Sequence, residues 1–204
     1  MIKLNLIPKV LLLLFTFLII SFKCYADNYE SKKDIVALGN DKAPIKIKIF
    51  SSLTCPHCAN FHTNVLPKIK KEYVDSGKVQ LIFIDFPLDQ VAFDASKLLH
   101  CLEREKQIKF LDKIYENQKE WTSGLSMDEI QNNLKKIVKV LGINSEQFDR
   151  CIKNEVIADK IINARIDGQR EYSIKSTPTI VINEKKLEGE VNFKNIKKKI
   201  EKLI

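Results

Sequence analysis

Glycine and proline are scarce in this 204-residue chain, with six of each, and the chain has no repeat and no low-complexity tract. These absences exclude repeat arrays and low-complexity proteins. Hydrophobic residues make up 45% of the chain and charged residues 29%, which is typical of a globular protein rather than a disordered one. The length suits one domain with a large core, or a small domain that carries an insertion.

The sequence also lacks an apolar run long enough to span a bilayer comfortably, which takes about 20 residues. The shorter uncharged run at residues 10–22 is preceded by two lysines and followed by the small-x-small triplet Cys24-Tyr25-Ala26. This order is typical of a secretory signal peptide. We therefore expect residues 1–26 to be a signal peptide, cleaved after about Ala26, and the mature protein to be periplasmic. An uncleaved anchor and a lipoprotein signal ending at Cys24 are the alternatives.

Loss of this segment changes the charge and the cysteine count. Removing its three lysines from the 34 basic residues leaves 31 against 26 acidic residues, a net charge of +5. Part of the excess lies in the lysine run 197–199, which is typical of a solvated helix face, so we expect no nucleic acid partner. Cys24 leaves with the segment. Four of the five cysteines then remain, an even number in an oxidising compartment where disulfides persist.

The first part of the mature chain has the order strand, cysteine pair, helix, strand. Isoleucine alternates with lysine within residues 45–50, which predicts a strand with one solvated face. A helix is expected from Pro56, with a kink at Pro67 because proline has no N–H to donate. Residues 79–86 are mostly apolar and predict a buried central strand. Together these elements predict a βαβ unit with the cysteine pair at a helix N-terminus.

Residues 90–172 are predicted to be largely helical, with capping patterns at Ser126 and Asn144. Some 80 residues of helix are too many for a simple crossover, where a dozen or so suffice, so we expect an inserted helical subdomain. After this subdomain, residues 179–182 predict a strand, followed by a hairpin turn at 183–186 and a short return at 187–189. Apolar residues at helical spacing predict a final helix.

The pair of cysteines in the run Cys55-Pro56-His57-Cys58 is the strongest chemical signal in the sequence. A thiol attacks only as the thiolate, and an isolated cysteine has a pKa near 8.5. Pro56 suits the first helical position, which would place the Cys55 sulfur over unpaired backbone N–H groups at the positive end of the helix dipole. A protonated His57 would add a charge nearby. We expect Cys55 to be the nucleophile and Cys58, one turn further, to resolve the mixed disulfide.

Two other interpretations of this pair stay open on the residues alone. A C-x-x-C pair is half of a zinc site, and His62 follows four residues after Cys58. A zinc site would need further ligands, which the distant Cys101 and Cys151 do not supply as a second C-x-x-C pair. The other alternative is a structural 55–58 disulfide, although a two-residue spacer makes a tight and readily reduced loop. The strand–cysteine pair–helix context favours redox chemistry.

These motifs resemble the DsbA family of thioredoxin-fold oxidases over nearly all of the predicted mature chain. The resemblance is carried by the C-x-x-C run at 55–58, by Ser176-Thr177-Pro178-Thr179 before a strand, and by the helical insertion between them. It implies an α/β fold with a thioredoxin-like mixed sheet and an inserted all-helical subdomain. The expected division is a thioredoxin-like domain at 27–89 and 173–204, with the helical insertion at 90–172.

The family also implies roles for individual residues. Cys55 and Cys58 would be the redox-active disulfide, and Pro56 and His57 the dipeptide that tunes it. Pro178 would be a cis-proline packed against the disulfide, with Thr177 offering its backbone to an extended substrate segment. On the residues alone, Pro178 could equally begin an edge strand.

The sequence departs from the family pattern at three positions. Ile49 stands six residues before Cys55, where well-known members carry a buried acid, so a proton-relay role there is in doubt. Ser173 and Ser176 replace glycines that are common before the cis-proline.

Cys101 and Cys151 lie 50 positions apart in the predicted helical subdomain, among apolar neighbours. Two buried, reduced cysteines that behave as small hydrophobes are one interpretation. Because the protein is expected to be exported, and because some DsbA relatives have a second disulfide in this region, we favour a structural disulfide between them.

The expected function is that of an oxidase that introduces disulfides into newly exported proteins. Its predicted partners are reduced exported proteins as substrates and a membrane reoxidant of the DsbB type, with no cofactor and no metal. Fewer than 20 residues separate the predicted cleavage site from the first full strand, which leaves no room for a dimerisation domain, so a monomer is expected. A disulfide isomerase or reductase, and a redox-inert peptide-binding chaperone, are the alternatives.

Overall fold

A computed structural model describes residues 35–204 of the chain. The predicted signal peptide at 1–26 lies outside the described residues. Five strands form one mixed sheet in the order β1-β3-β2-β4-β5. The strands are β1 Val36–Leu38, β2 Ile45–Ser51, β3 Val79–Asp85, β4 Thr179–Ile182 and β5 Lys185–Lys186. Strands β2 and β3 are parallel and the other neighbouring pairs are antiparallel. The sheet and the helices below give the thioredoxin-like fold with a helical insertion that the sequence predicted.

Isoleucine and lysine alternate in β2 because successive side chains of a strand point to opposite faces of the sheet. Ile45, Ile47 and Ile49 are buried, whereas Lys46 and Lys48 are only partly buried. Strand β2 is the middle strand of the sheet, and β3 is an interior strand between β1 and β2. Side chains on both faces of β3 are buried or partly buried, which explains why this strand is mostly apolar.

One helix, α1, runs from Pro56 to Val74. It begins directly after Cys55, so that Cys58 lies within it. Two of its segments, Phe61–Val65 and Lys70–Val74, are π-helical, and the α-helical segment Leu66–Ile69 lies between them. Pro67 lies at the beginning of that segment, directly after the first π-helical turn. The helix therefore continues past Pro67, with a π-helical turn on either side of the segment that contains it.

Six helices, α2 to α7, form the insertion, and α8 follows the sheet. Their bounds are α2 Gln90–Cys101, α3 Arg104–Glu116, α4 Gln118–Trp121, α5 Met127–Lys139, α6 Ser145–Ile152, α7 Glu155–Tyr172 and α8 Phe193–Ile200. The cap predicted at Asn144 is confirmed as a full capping box with Gln147. Of the capping box predicted at Ser126, only one half is present: the Ser126 side chain accepts from the Glu129 N–H, but the Glu129 carboxylate accepts from the Leu125 N–H. No helix within residues 35–204 is long and apolar enough to cross a membrane.

The prediction for the hairpin after β4 was wrong by two residues. Asn183 and Glu184 have positive φ angles of 44° and 64°, so they form the whole turn, and the return strand is already Lys185–Lys186 rather than 187–189. Two residues in the left-handed region produce the tight turn whose twist matches that of the flanking strands. Ile182 is consequently paired with Lys185.

The apolar core is continuous between the sheet and the insertion. Trp121 at the end of α4 is buried in it, and the indole N–H donates to the Ile114 carbonyl over 2.8 Å. Helix α3 packs against both β1 and α1. The insertion therefore adds buried side chains next to the cysteine pair.

Candidate active site

Cys55 is the N-cap of α1, with extended backbone angles (φ −74°, ψ 120°), and Pro56 occupies the first helical turn. The chain reaches this position through a short loop after β2, in which the Cys55 N–H donates to the Ser52 carbonyl over 3.1 Å. Cys55 is 8% exposed and Cys58 is 1% exposed. Both cysteines are free thiols. One sulfur therefore borders the surface, and the other lies one turn deeper.

The two thiols have opposite electrostatic environments. A hydrogen bond from the Cys58 thiol is the largest influence that lowers the pKa of Cys55 to about 5, against the opposing effect of burial; Thr177 and the backbone N–H groups of Cys58 and His57 lower this pKa further. The same hydrogen bond, together with burial, raises the pKa of Cys58 far above its ordinary value. At neutral pH the arrangement consists of a thiolate at Cys55 and a thiol at Cys58.

A cis peptide bond joins Thr177 to Pro178 at the beginning of β4. The Thr177 carbonyl oxygen lies 3.3 Å from the Cys55 sulfur, and Thr177 itself is buried. The structure therefore brings the two motifs 55–58 and 176–179 together, although more than 100 residues separate them in the chain.

Gln118 is a supporting residue that sequence reasoning missed. Its side-chain amide is buried and donates to the Leu53 carbonyl over 2.8 Å and to the Cys55 carbonyl over 3.1 Å. In the same loop, the Thr54 hydroxyl donates to Asp89 over 2.7 Å. These bonds connect the loop before α1 to the insertion. No sequence signal marks Gln118, because a glutamine in a short helix is ordinary.

The histidines occupy different positions. His57 and Pro56 are exposed beside the cysteine pair. The Nε2 of His62 is paired with Asp112 over 2.7 Å, and the Nε2 of His100 with Asp85 over 2.6 Å. Within residues 35–204, no group of three or more His, Cys, Asp or Glu side chains is arranged to hold a metal ion.

Cys101 and Cys151 are joined by a disulfide, with their Cα atoms 6.0 Å apart. It connects the last residue of α2 to the end of α6. The bond closes a segment of 50 residues within the insertion.

Comparison with known proteins gives matches to redox proteins. The family model described as Thioredoxin matches residues 30–202. A Bacillus anthracis protein named "Probable disulfide bond formation protein D" is 32% identical over 172 residues, which cover 81% of this chain and 76% of that protein. Among solved structures, Wolbachia pipientis alpha-DsbA1 superposes with a TM-score of 0.75 at 32% identity, covering 83% of this chain and 90% of that one. BdbD from Bacillus subtilis, at 24% identity, has the same fold with a TM-score of 0.73, covering 84% and 93%.

Proposed function

Because the chain belongs to the DsbA-like family of thioredoxin-fold protein-disulfide oxidoreductases, we propose that it is an oxidase that donates the disulfide of Cys55 and Cys58 to exported proteins. Thiol–disulfide exchange runs in both directions, so the direction depends on which form of the enzyme is the more stable. The proposal depends on one observation: the pKa of Cys55 is lowered, whereas the pKa of Cys58 is raised.

A thiolate at Cys55 stabilises the reduced enzyme and thereby makes the disulfide form a stronger oxidant. With a pKa of about 5, roughly 99% of this thiol is ionised at pH 7. The two pH units between 5 and 7 amount to at most about 3 kcal/mol, and solvent screening at this sulfur, which borders the surface, lowers the gain to about 1–2 kcal/mol. That gain raises the reduction potential by roughly 20–40 mV.

The proposed exchange begins when a substrate thiolate attacks the Cys55 sulfur of the oxidised enzyme. The bond between Cys55 and Cys58 breaks, Cys58 leaves with the electron pair, and it takes up a proton. A second substrate thiolate then attacks the substrate sulfur of the mixed disulfide, and Cys55 leaves as a thiolate. Thr177, whose carbonyl oxygen borders the Cys55 sulfur, and the cis-proline Pro178 that follows it would align the extended substrate segment.

Export is part of the same proposal. The sequence pattern of residues 1–26 supports a role outside the cytoplasm, where disulfides persist. There the substrates would be reduced exported proteins, a membrane reoxidant of the DsbB type would restore the disulfide, and the enzyme would act as a monomer in the periplasm.

The reduction potential of the 55–58 pair, measured by equilibration with glutathione, tests the direction of exchange. We expect a potential clearly more oxidising than that of thioredoxin, which is about −270 mV, together with stoichiometric oxidation of a reduced dithiol peptide. A potential near that of thioredoxin would rule out the oxidase role. Efficient repair of a protein with wrongly paired disulfides, without oxidation of the dithiol peptide, would favour an isomerase instead.

A further inference from the structure

The turn that carries Cys55 is held by a side chain of the helical insertion. Residues 52–55 form this turn directly after β2, closed by the hydrogen bond from the Cys55 N–H to the Ser52 carbonyl over 3.1 Å. Two carbonyls of the turn, those of Leu53 and Cys55, accept hydrogen bonds from the buried amide of Gln118 on α4. The conformation of the turn therefore depends in part on the insertion.

Gln118 suits this position because its amide nitrogen carries two protons. The nitrogen lies 2.8 Å from the Leu53 oxygen and 3.1 Å from the Cys55 oxygen, so one proton can be directed to each. Among the residues that the structure describes, no other donor reaches the Leu53 carbonyl. Leu53 is 2% exposed, so loss of the amide would leave a buried carbonyl without a partner, which is costly.

The backbone of Gln118 is itself fixed within the insertion. The Thr122 hydroxyl donates to the Gln118 carbonyl over 2.7 Å. At the other end of α4, the indole N–H of the buried Trp121 donates to the Ile114 carbonyl over 2.8 Å. The amide therefore approaches the turn from a well-anchored helix.

The position of the Cys55 sulfur depends on this arrangement. The Cys55 N–H is bonded to Ser52, and the Cys55 carbonyl accepts from Gln118 and from two N–H groups of α1. With both backbone groups of Cys55 held, the direction of its Cα–Cβ bond is fixed. The sulfur then lies 3.3 Å from the Thr177 carbonyl oxygen, and it can move only by rotation about the Cα–Cβ bond.

The groups that stabilise a thiolate at Cys55 act over short distances. The Cys58 thiol is the first of them, and Thr177 and the backbone N–H groups of Cys58 and His57 lower the pKa of Cys55 further, against the opposing effect of burial. Hydrogen bonds weaken steeply when their geometry departs from the optimum. A small displacement of the turn relative to α1 would therefore weaken all of these contacts together.

We propose that Gln118 is a positioning residue for disulfide exchange: it holds the turn at 52–55 so that the Cys55 sulfur stays over the N–H groups at the start of α1. The insertion thereby helps to activate the nucleophile, in addition to the buried side chains that it adds to the core. This inference rests on the proposed role of Cys55 as the attacking and attacked sulfur.

Gln118→Met tests the inference, because methionine has a similar length and volume but no proton to donate. The readout is the rate at which iodoacetamide alkylates Cys55 in the reduced enzyme as a function of pH, with the adduct located by mass spectrometry. We expect the midpoint of this profile to rise by about one pH unit, and the rate below the midpoint to fall about tenfold. This is comparable to the net contribution of one hydrogen bond.

The same variant should be a weaker oxidant. A less stable thiolate makes the reduced enzyme less stable relative to the disulfide form. The equilibrium of Gln118→Met with glutathione at pH 7 should therefore shift about tenfold towards the oxidised enzyme, which corresponds to a reduction potential lower by about 30 mV. A purely structural role of Gln118 would change neither this potential nor the alkylation profile.

Gln107→Met is the matched control. Gln107 is also a buried glutamine of the insertion, and its amide donates to the Leu99 and Leu102 carbonyls over 3.5 and 3.4 Å, away from the cysteine pair. We expect this variant to lose stability in denaturant titration, as Gln118→Met does. Its alkylation profile and its equilibrium with glutathione should match those of the unsubstituted enzyme.

Gln118→Asn provides a second variant if Gln118→Met does not fold. It keeps the amide on a side chain that is one methylene shorter, so the amide should no longer satisfy both carbonyls. We expect the alkylation midpoint to shift in the same direction by less, with a rate about threefold lower below the midpoint.

The outcomes separate the inference from the proposed function. Alkylation profiles of the Gln118 variants that match the unsubstituted enzyme, or an equal shift in Gln107→Met, would overturn the inference while leaving the proposed function intact. An unsubstituted enzyme whose Cys55 is alkylated with the midpoint of an ordinary cysteine, and whose potential is near that of thioredoxin, would overturn the proposed function and with it the inference.

Discussion

The two cysteine pairs of this protein are built from the same residue type but differ in their surroundings. Cys55 and Cys151 are equally buried, at 8% exposure each. Cys55, however, caps the N-terminus of α1, whereas Cys101 and Cys151 lie in the last turns of α2 and α6. Backbone N–H groups and the positive end of the helix dipole favour a thiolate at Cys55, and a helix C-terminus disfavours one. Burial alone therefore does not distinguish the reactive pair from the other.

The pairs also differ in the length of chain that they close. Two residues separate Cys55 from Cys58, whereas the other disulfide closes a segment of 50 residues. On the chain-entropy model, a longer loop loses more freedom in the unfolded state and stabilises the folded state more. This contrast indicates that the 55–58 pair is suited to disulfide exchange and that the 101–151 disulfide stabilises the fold. Three experiments test this division of roles.

Substitution at the reactive pair should have the largest effect. Because Cys55 carries the thiolate, we expect Cys55→Ser to lower the rate of disulfide exchange by roughly 10³-fold or more. Cys58→Ser should retain the first attack and accumulate mixed disulfides through Cys55, detected by electrophoresis without reductant. Failure of Cys58→Ser to trap any substrate would contradict the assigned order of attack.

Removal of the second disulfide should change stability rather than chemistry. We expect the double variant Cys101→Ala, Cys151→Ala to lose about 4 kcal/mol of unfolding free energy, measured by denaturant titration. Dithiol oxidation by its folded form should stay within a few-fold of that of the unsubstituted enzyme. A large loss of exchange with little loss of stability would show that the two pairs are not separate in function.

The smallest effect is a dependence of stability on pH in the reduced enzyme. The pKa of Cys55 is about 5 when folded, well below the value near 8.5 of an isolated cysteine. Between these two pH values, the Cys55 thiol is protonated in the unfolded state and ionised in the folded state. The free energy of unfolding therefore rises with pH, and the contribution of Cys55 to it is lost as the pH falls towards 5. We expect a rise of about 2–3 kcal/mol from pH 5 to 9, after allowance for solvent screening at this sulfur, which borders the surface.

Denaturant titrations of the reduced enzyme and of Cys55→Ser measure this dependence. The serine variant should lack the rise, because its hydroxyl does not titrate in this range. An equal rise in both proteins would mean that other groups produce the pH dependence.

Local sequence patterns predicted much of the fold. The alternation in β2, the capping box of Asn144 and the start of a helix at Pro56 each depend on residues only a few positions apart. The hairpin return was placed two residues late, because the left-handed conformations of Asn183 and Glu184 shortened the turn. Such conformations are uncommon outside glycine, so sequence provides little warning of them.

The sequence by itself determined the chemistry available to this protein. Two residues separate the paired cysteines, and the first of these two residues, a proline, begins the helix that contains the second cysteine. Tertiary structure decided how that chemistry is supported. Gln118 reaches the loop before α1 only because the insertion folds back against the helix that carries the pair. Burial and electrostatic coupling depend on distances in space, and these distances join residues more than 50 positions apart in the chain.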